Sequence, residues 1–450
     1  MTALDPAAQA APPPPAPASH RSYGAGNLGV QLLAQTFATY ATFFYVDHLG
    51  VDPALIGVAM VVHGVLSAVL NPLFGHLSDR TRSRWGRRVP YIAFGMAPLA
   101  AAFVLVWFPL VSGPAALFWY FLAVVLAFDV LFVLVALNYS ALFPELFTGI
   151  AARATASSWR QMFGIVGMVA GVAAAPLLYG GLGWGAMGAV LGLVVLGWGA
   201  MGAVLGLVVL GSLALSLRGI PPASAASAPP ATVKLLPAIR YTLANRAFVT
   251  YVAGSFLLQL TVAVLQASLP FFTKYALREP DSANTAVLGA IFATAIPLVY
   301  VWARVTRRLG PRRTVLAVVA VYAAAFPFFL VAGTTAATVA VTAFMGLGIA
   351  GILMLLEILL AEVIDDDERR TGARREGMYF GMNGFIVKWS SSLQAVVLSA
   401  VLSASGYVAG AAAQPDTVVT GVRVLLGVAC PLVLVPALAC FLLYPLRTGR

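Results

Sequence analysis

The sequence predicts an all-α polytopic membrane protein, with twelve transmembrane helices in two pseudo-symmetric six-helix bundles. Three observations lead there. The 450-residue chain is 61% hydrophobic and only 10% charged, with a mean hydropathy of +0.92, whereas a soluble protein carries roughly 25% charged residues. Apolar runs recur from end to end, each long enough to cross a hydrocarbon core of ~30 Å. Basic residues gather in short loops between those runs, and matching basic loops occur in the two halves of the chain. A β-barrel is excluded, because its strands would be segments of ~10 residues with alternating polarity.

Residues 1–22 are Pro/Ala-rich and lack a basic segment ahead of an apolar one, so they read as a disordered tail rather than a cleaved signal. The spans follow at about 26–48, 55–77, 89–111, 115–142, 157–178 and 182–217 in a first bundle covering 23–217. A second bundle, 247–450, holds about 247–275, 285–305, 315–332, 335–364, 378–404 and 420–444. Between them, 218–246 is the longest polar interruption and reads as a cytoplasmic linker. The sixth span is too long. The stretch LGWGAMGAVLGLVV occurs at 182–195 and again at 196–209, and 36 helical residues would reach ~54 Å. Removing one copy leaves ~33 Å, which fits the bilayer. A tandem duplication or sequence artefact explains this better than a functional device.

The net charge of +11 belongs to topology rather than to nucleic acid. Loop 78–88 carries Arg80, Arg82, Arg84, Arg87 and Arg88, and the later loops on the same side carry Arg153, Arg307, Arg308, Arg312, Arg313, Arg369, Arg370, Arg374 and Arg375. The other side holds little beyond Lys274 and Arg278. Both termini are therefore expected in the cytoplasm, in a plasma (inner) membrane. Cys430 and Cys440 share the last apolar run, so neither a disulfide framework nor a metal site is expected. No nucleotide-binding loop, metal cluster or nucleophile–base set is present, which argues against an ATP-driven pump or an enzyme.

The stretch GHLSDRTRSRWGRR, with Gly75, Asp79, Arg80, Gly86, Arg87 and Arg88, resembles the loop between spans two and three of the major facilitator superfamily. With SYGAGNLG (22–29), NYSALFPEL, SSWRQMFG and the long motif 365–394, the chain resembles the glycoside–pentoside–hexuronide:cation symporter family over nearly its whole length. The resemblance implies a secondary transporter of a sugar, glycoside or related small polar solute, working by alternating access. It implies a cytoplasmic gate at Gly75, Asp79, Arg80, Gly86, Arg87 and Arg88, which Glu357, Arg374 and Arg375 are expected to join.

The family pattern is broken at the cation site. It carries two aspartates four residues apart on span two, the second directly before a proline. Counting back from Pro72, those positions hold Ser67 and Asn71, with His63 one turn earlier on the same face. The family's aspartates on spans one and four become Gln31 and Ala136, while its arginine and lysine persist as Arg160 and Lys388. An ionisable residue within the membrane is a functional candidate by default, so Asp129 is expected to supply the missing acid, pairing with Arg160 or Lys388. Gln31 and Gln35 on span one, Gln259 and Gln266 on span seven, and Asn138 and Tyr139 on span four complete the expected solute-binding set. No cofactor is expected; the coupling ion, Na⁺ or H⁺, stays open. The partners expected are a small-molecule solute and the lipid bilayer, with the chain acting as a monomer. A uniporter, a carrier of an amphiphilic solute and a non-transporting sensor stand as alternatives.

Overall fold

The computed structural model describes residues 18–45, 49–181, 205–218, 235–279, 281–373, 375–407 and 414–446. Lipid offers no hydrogen-bond partners, so a spanning chain must satisfy its own backbone groups, and helices do this segment by segment. The first half forms α1 (His20–Phe43), α2 (Pro53–Arg80), α3 (Val89–Trp107), α4 (Pro114–Leu146), α5 (Ile150–Gly181) and α6 (Leu205–Arg218). A short helix, α7 (Leu235–Ala244), lies in the expected linker. The second half forms α8 (Arg246–Ala276), α9 (Asp281–Leu309), α10 (Pro311–Leu330), α11 (Thr335–Thr371), α12 (Glu376–Ala404) and α13 (Asp416–Leu443). Among the described residues, nine helices (α2–α4 and α8–α13) are long and apolar enough to cross a membrane. The polar stripe Asn27, Gln31, Gln35 and Thr39 sets α1 apart.

Helix starts follow local chemistry. Ser19 caps α1 by accepting from the Ser22 backbone N–H at 3.3 Å, so the helix begins at His20, inside the expected tail. Asn245 caps α8 by accepting from Ala247 N at 3.0 Å. The helix α5 begins at Ile150, ahead of the span expected from 157. The expectations for tail residues 1–17, linker residues 219–234, residues 182–204 of the duplicated stretch and Arg374 lie outside the described residues.

Within the first half α1 lies along α5, and α2 and α3 lie along α4; within the second, α9 lies along α11 and α8 along α13. The halves meet through α2 with α12, and α5 with α9 and α11. Matching turns close the basic loops of both halves: Gly86 (φ 97°) before α3 and Gly310 (φ 79°) before α10. Both lie in the left-handed region where a side chain would be strained.

Candidate functional site

At the end of the molecule that carries the basic loops, α2 runs into the start of α12. A Cβ added at Gly75 would lie 2.0 Å from the Gly377 carbonyl oxygen, and one at Gly381 would lie 2.5 Å from the Asn71 oxygen. Only glycines allow this backbone approach. The start of α12 has unsatisfied N–H groups and no side-chain cap of its own. Asp79 supplies the cap from the other half, accepting from Gly377 N at 2.9 Å and Met378 N at 2.8 Å. A carboxylate there also complements the positive end of the helix dipole.

Arg88, fully buried, donates to Asp79 and Ser78 and to Glu145 and Glu376, both at 3.3 Å. Arg87 bridges Glu145 at 2.9 Å and Glu376 at 3.0 Å. Burial works to discharge Arg88, but Asp79, Glu145 and Glu376 outweigh it and hold the guanidinium further into its charged form than an ordinary arginine. On the flank between α5 and α11, Arg153 pairs with Asp365 at 2.7 Å. Of the other expected gate residues, Arg80 is exposed. Gly86 makes the turn rather than a contact, and Arg375 pairs with Asp367 inside the second half at 2.8 Å.

Beyond this closure, towards the middle of the molecule, a cavity of about 260 Å³ lies between the halves. Its polar lining comes from Asn27 and Gln31 (α1), Ser140 (α4), Arg160 and Gln161 (α5), Tyr251 and Gln259 (α8), Glu357 (α11) and Asn383 (α12). Arg160 donates to Glu357 across the interface and to Ser140 Oγ at 2.9 Å. Glu357 also accepts from Ser157 Oγ at 3.2 Å. Glu357 therefore lines the cavity as the partner of Arg160 and does not join the gate arginines as expected from the sequence. Arg160 Nε and Asn383 Oδ1 are buried with no hydrogen-bond partner.

Other expected residues fall elsewhere. Gln35 donates to Thr39 Oγ1 at 3.2 Å, and Gln266 is exposed. Asn138 is buried and donates to the Leu134 carbonyl at 2.8 Å. Tyr139 is fully buried with its ring stacked on Tyr23, centroids 4.8 Å apart, and Arg160 lies over it at 5.2 Å. It braces the arginine rather than lining the cavity. Asp129 meets neither expected partner at ion-pair distance. Its Oδ1 lies 3.5 Å from His63 Nδ1, while Lys388 is close enough to act on it electrostatically. Ser67 is buried with an unpartnered Oγ, and its carbonyl accepts from Asn71 Nδ2 at 2.7 Å.

Asn27, Gln161, Glu145 and Asn383 are not among the site residues expected from the sequence, yet each carries a signal there. Asn27 extends the i, i+4 stripe of Gln31 and Gln35, Gln161 follows Arg160, and Glu145 and Asn383 lie inside the family-like motifs.

The sequence matches the family described as MFS/sugar transport protein over residues 22–448. It is 26% identical to an isoprimeverose transporter of Lactiplantibacillus pentosus, covering 86% of this chain and 80% of that one. It is 25% identical to a putative glycoside/cation symporter of Escherichia coli, covering 95% and 92%. The fold matches the crystal structure of a bacterial homologue of the iron transporter ferroportin in an outward-facing state, with a TM-score of 0.68, 14% identity, and 95% and 99% coverage. A twelve-helix fold, two halves meeting around a polar cavity and a match along almost the whole chain lead to one conclusion: this chain is a membrane transporter of the MFS/sugar transport protein family, and not an enzyme.

Proposed function

We propose that the protein carries a sugar, a glycoside or a related small polar solute across the plasma membrane by alternating access, with both termini in the cytoplasm. The observation that carries this reading is the Arg160–Glu357 pair, which spans the two halves inside a cavity lined by amides and hydroxyls. Sugar hydroxyls both donate and accept, so they suit Gln31, Gln259 and Asn383, and the unpartnered Arg160 Nε and Asn383 Oδ1 offer a donor and an acceptor. A solute that inserts between Arg160 and Glu357 would loosen the tie between the halves. With the basic loops facing the cytoplasm, as the positive-inside rule favours, the arrangement corresponds to a state closed inward.

Uptake of a panel of radiolabelled glycosides into proteoliposomes tests the reading, with inward H⁺ and Na⁺ gradients imposed separately. At least one glycoside is expected to enter faster than into empty liposomes. Glu357→Gln should lower its uptake at least tenfold, because it leaves a buried guanidinium without its carboxylate. Absence of uptake across the panel would remove the sugar assignment. Full uptake by Glu357→Gln would remove the pair from the mechanism.

A further inference from the structure

Away from the basic end, α2 and α12 diverge around a second cavity, of about 630 Å³. Its walls are mostly apolar, including Val61, Val65, Phe385 and Trp389, yet His63 and Lys388 open into it. Behind His63 lies Asp129, 3% exposed, with one carboxylate oxygen 3.5 Å from His63 Nδ1 and the other without any partner. A buried carboxylate with a single, distant contact is costly in lipid unless a positive charge answers it. Two groups can do so. One is a protonated His63, from the same half; the other is Lys388, from the opposite half.

We propose that His63 and Asp129 form a proton-binding site, and that Lys388 is the alternative countercharge which ties its occupancy to the rocking of the two halves. This rests on the alternating-access reading above. With the groove open, Lys388 stands off from the carboxylate, and a proton taken onto the imidazole balances Asp129. Closing the groove brings α12 towards α2, and the ammonium takes over as countercharge. The imidazolium then faces a second positive charge in a low dielectric and gives up its proton. One proton is bound and one released per cycle, without any other change of bonding.

The surroundings favour a proton over Na⁺. One carboxylate flanked by an imidazole and an ammonium repels a metal cation but accepts a proton. The positions one and two turns along α2, Ser67 and Asn71, add only neutral oxygens, and the Asn71 amide already donates to the Ser67 carbonyl. The helices facing His63 bring Phe37 from α1, edge-on at 5.4 Å, Asp129 from α4 and Lys388 from α12. On α2 itself the next titratable groups are His76 and Asp79, at the basic end, and α7, which also packs on α2, carries Arg240 and Tyr241.

The test needs no solute. Leu55→Cys and Ser403→Cys, at the ends of α2 and α12 remote from the basic loops, are spin-labelled in the full chain with Cys430 and Cys440 replaced by alanine. Distances are read by pulsed EPR in nanodiscs from pH 5 to pH 9. The groove-open fraction should rise as pH falls, with the open-to-closed ratio changing at least fivefold, and exchange of K⁺ for Na⁺ should leave it within twofold. Asp129→Asn and His63→Gln should each flatten the profile, and Lys388→Ala should hold the groove open at every pH. A flat profile in the parent, a profile set by Na⁺, or a titration that survives His63→Gln would each overturn the site. If Asp129→Asn does not fold, the ¹⁵N titration of the His63 ring in the parent decides; a ring locked in one protonation state throughout rejects the proposal. Loss of glycoside uptake with this titration intact would remove the solute assignment and leave the proton site standing.

Discussion

The same two helices, α2 and α12, meet in opposite ways at their two ends. At the basic end Gly75 and Gly377 bring backbone to backbone, and Asp79, Arg88, Arg87, Glu145 and Glu376 form a cluster in which Arg88 and Glu376 are fully buried. At the other end the helices part around a cavity of about 630 Å³ with apolar walls and a sparse set of charges, His63, Asp129 and Lys388. The first arrangement satisfies nearly every charge with a defined partner. The second leaves Asp129 Oδ2 unpartnered. A contact that must break and re-form needs strong, directional interactions that water can replace when they separate; a carboxylate capping a helix and a guanidinium fork have that character. A site that must change its charge needs the opposite, an incomplete set of partners.

The contrast ranks substitutions by how far they move the equilibrium between closed and open basic ends. The largest effect belongs to Asp79→Ala, which removes the cap of α12 and a buried partner of Arg88 together. Losing one member of a buried charge pair costs about 3–5 kcal/mol. Spin labels across the basic end should show the open form dominating, and concentrative uptake should fall below detection. Next comes Gly377→Ala, whose Cβ would fall 2.4 Å from the Gly75 carbonyl oxygen. Such overpacking costs about 1–3 kcal/mol, enough to raise the open fraction roughly fivefold to a hundredfold while the charges stay intact. An unchanged distance distribution in Gly377→Ala would mean that the helices do not close through this glycine contact.

How far these two ends could be read from the sequence differs for a physical reason. Helix number, the two halves and the basic turns follow from hydropathy and charge along the chain; among the described residues the expected spans have their helices in α1–α5 and α8–α13, with 205–218 of the sixth in α6. Gln31, Arg160 and Gln259 meet in one cavity because i, i+4 spacing fixes a face and the internal repeat brings α1 and α8 to the same centre. Partner choice across the interface does not follow from spacing. Asp79 caps a helix whose first N–H groups lie 298 and 299 residues away, and Glu357 takes Arg160 because α5 and α11 cross there. Asp129 meets His63 rather than Arg160 because it lies seven residues from Ala136, the family-like position, two turns along α4. Periodicity gives the face of a helix, and packing alone gives what stands opposite.

A smaller effect is expected on the α5–α11 flank. Arg153 pairs with Asp365 across the halves, but the Asp365 side chain is 37% exposed, and exposed pairs contribute about 0–1 kcal/mol. Arg153→Ala should shift the open fraction by no more than about fivefold, with uptake reduced rather than abolished.

The smallest shift sharpens the comparison from the other half of the repeat. Arg312 occupies the basic turn that matches the Arg87–Arg88 turn, yet it donates to the backbone carbonyls of Phe441 and Leu442 at the end of α13, within its own half. A cation at a helix C-terminus satisfies carbonyls that have no intrahelical partner and complements the dipole. Arg312→Ala should therefore cost roughly 0.5–1.5 kcal/mol of folding stability and leave the open fraction at the basic end unchanged, because none of those bonds crosses between the halves. Thermal unfolding in detergent and the same spin-label distances separate the two outcomes. If Arg312→Ala moved the equilibrium as Asp79→Ala does, the basic turns would act as a symmetric pair of gates, and the assignment of the closure to α2 and α12 would fall. If only the melting temperature moves, the two basic turns have parted in role: one holds the halves together, and the other holds its own helix end.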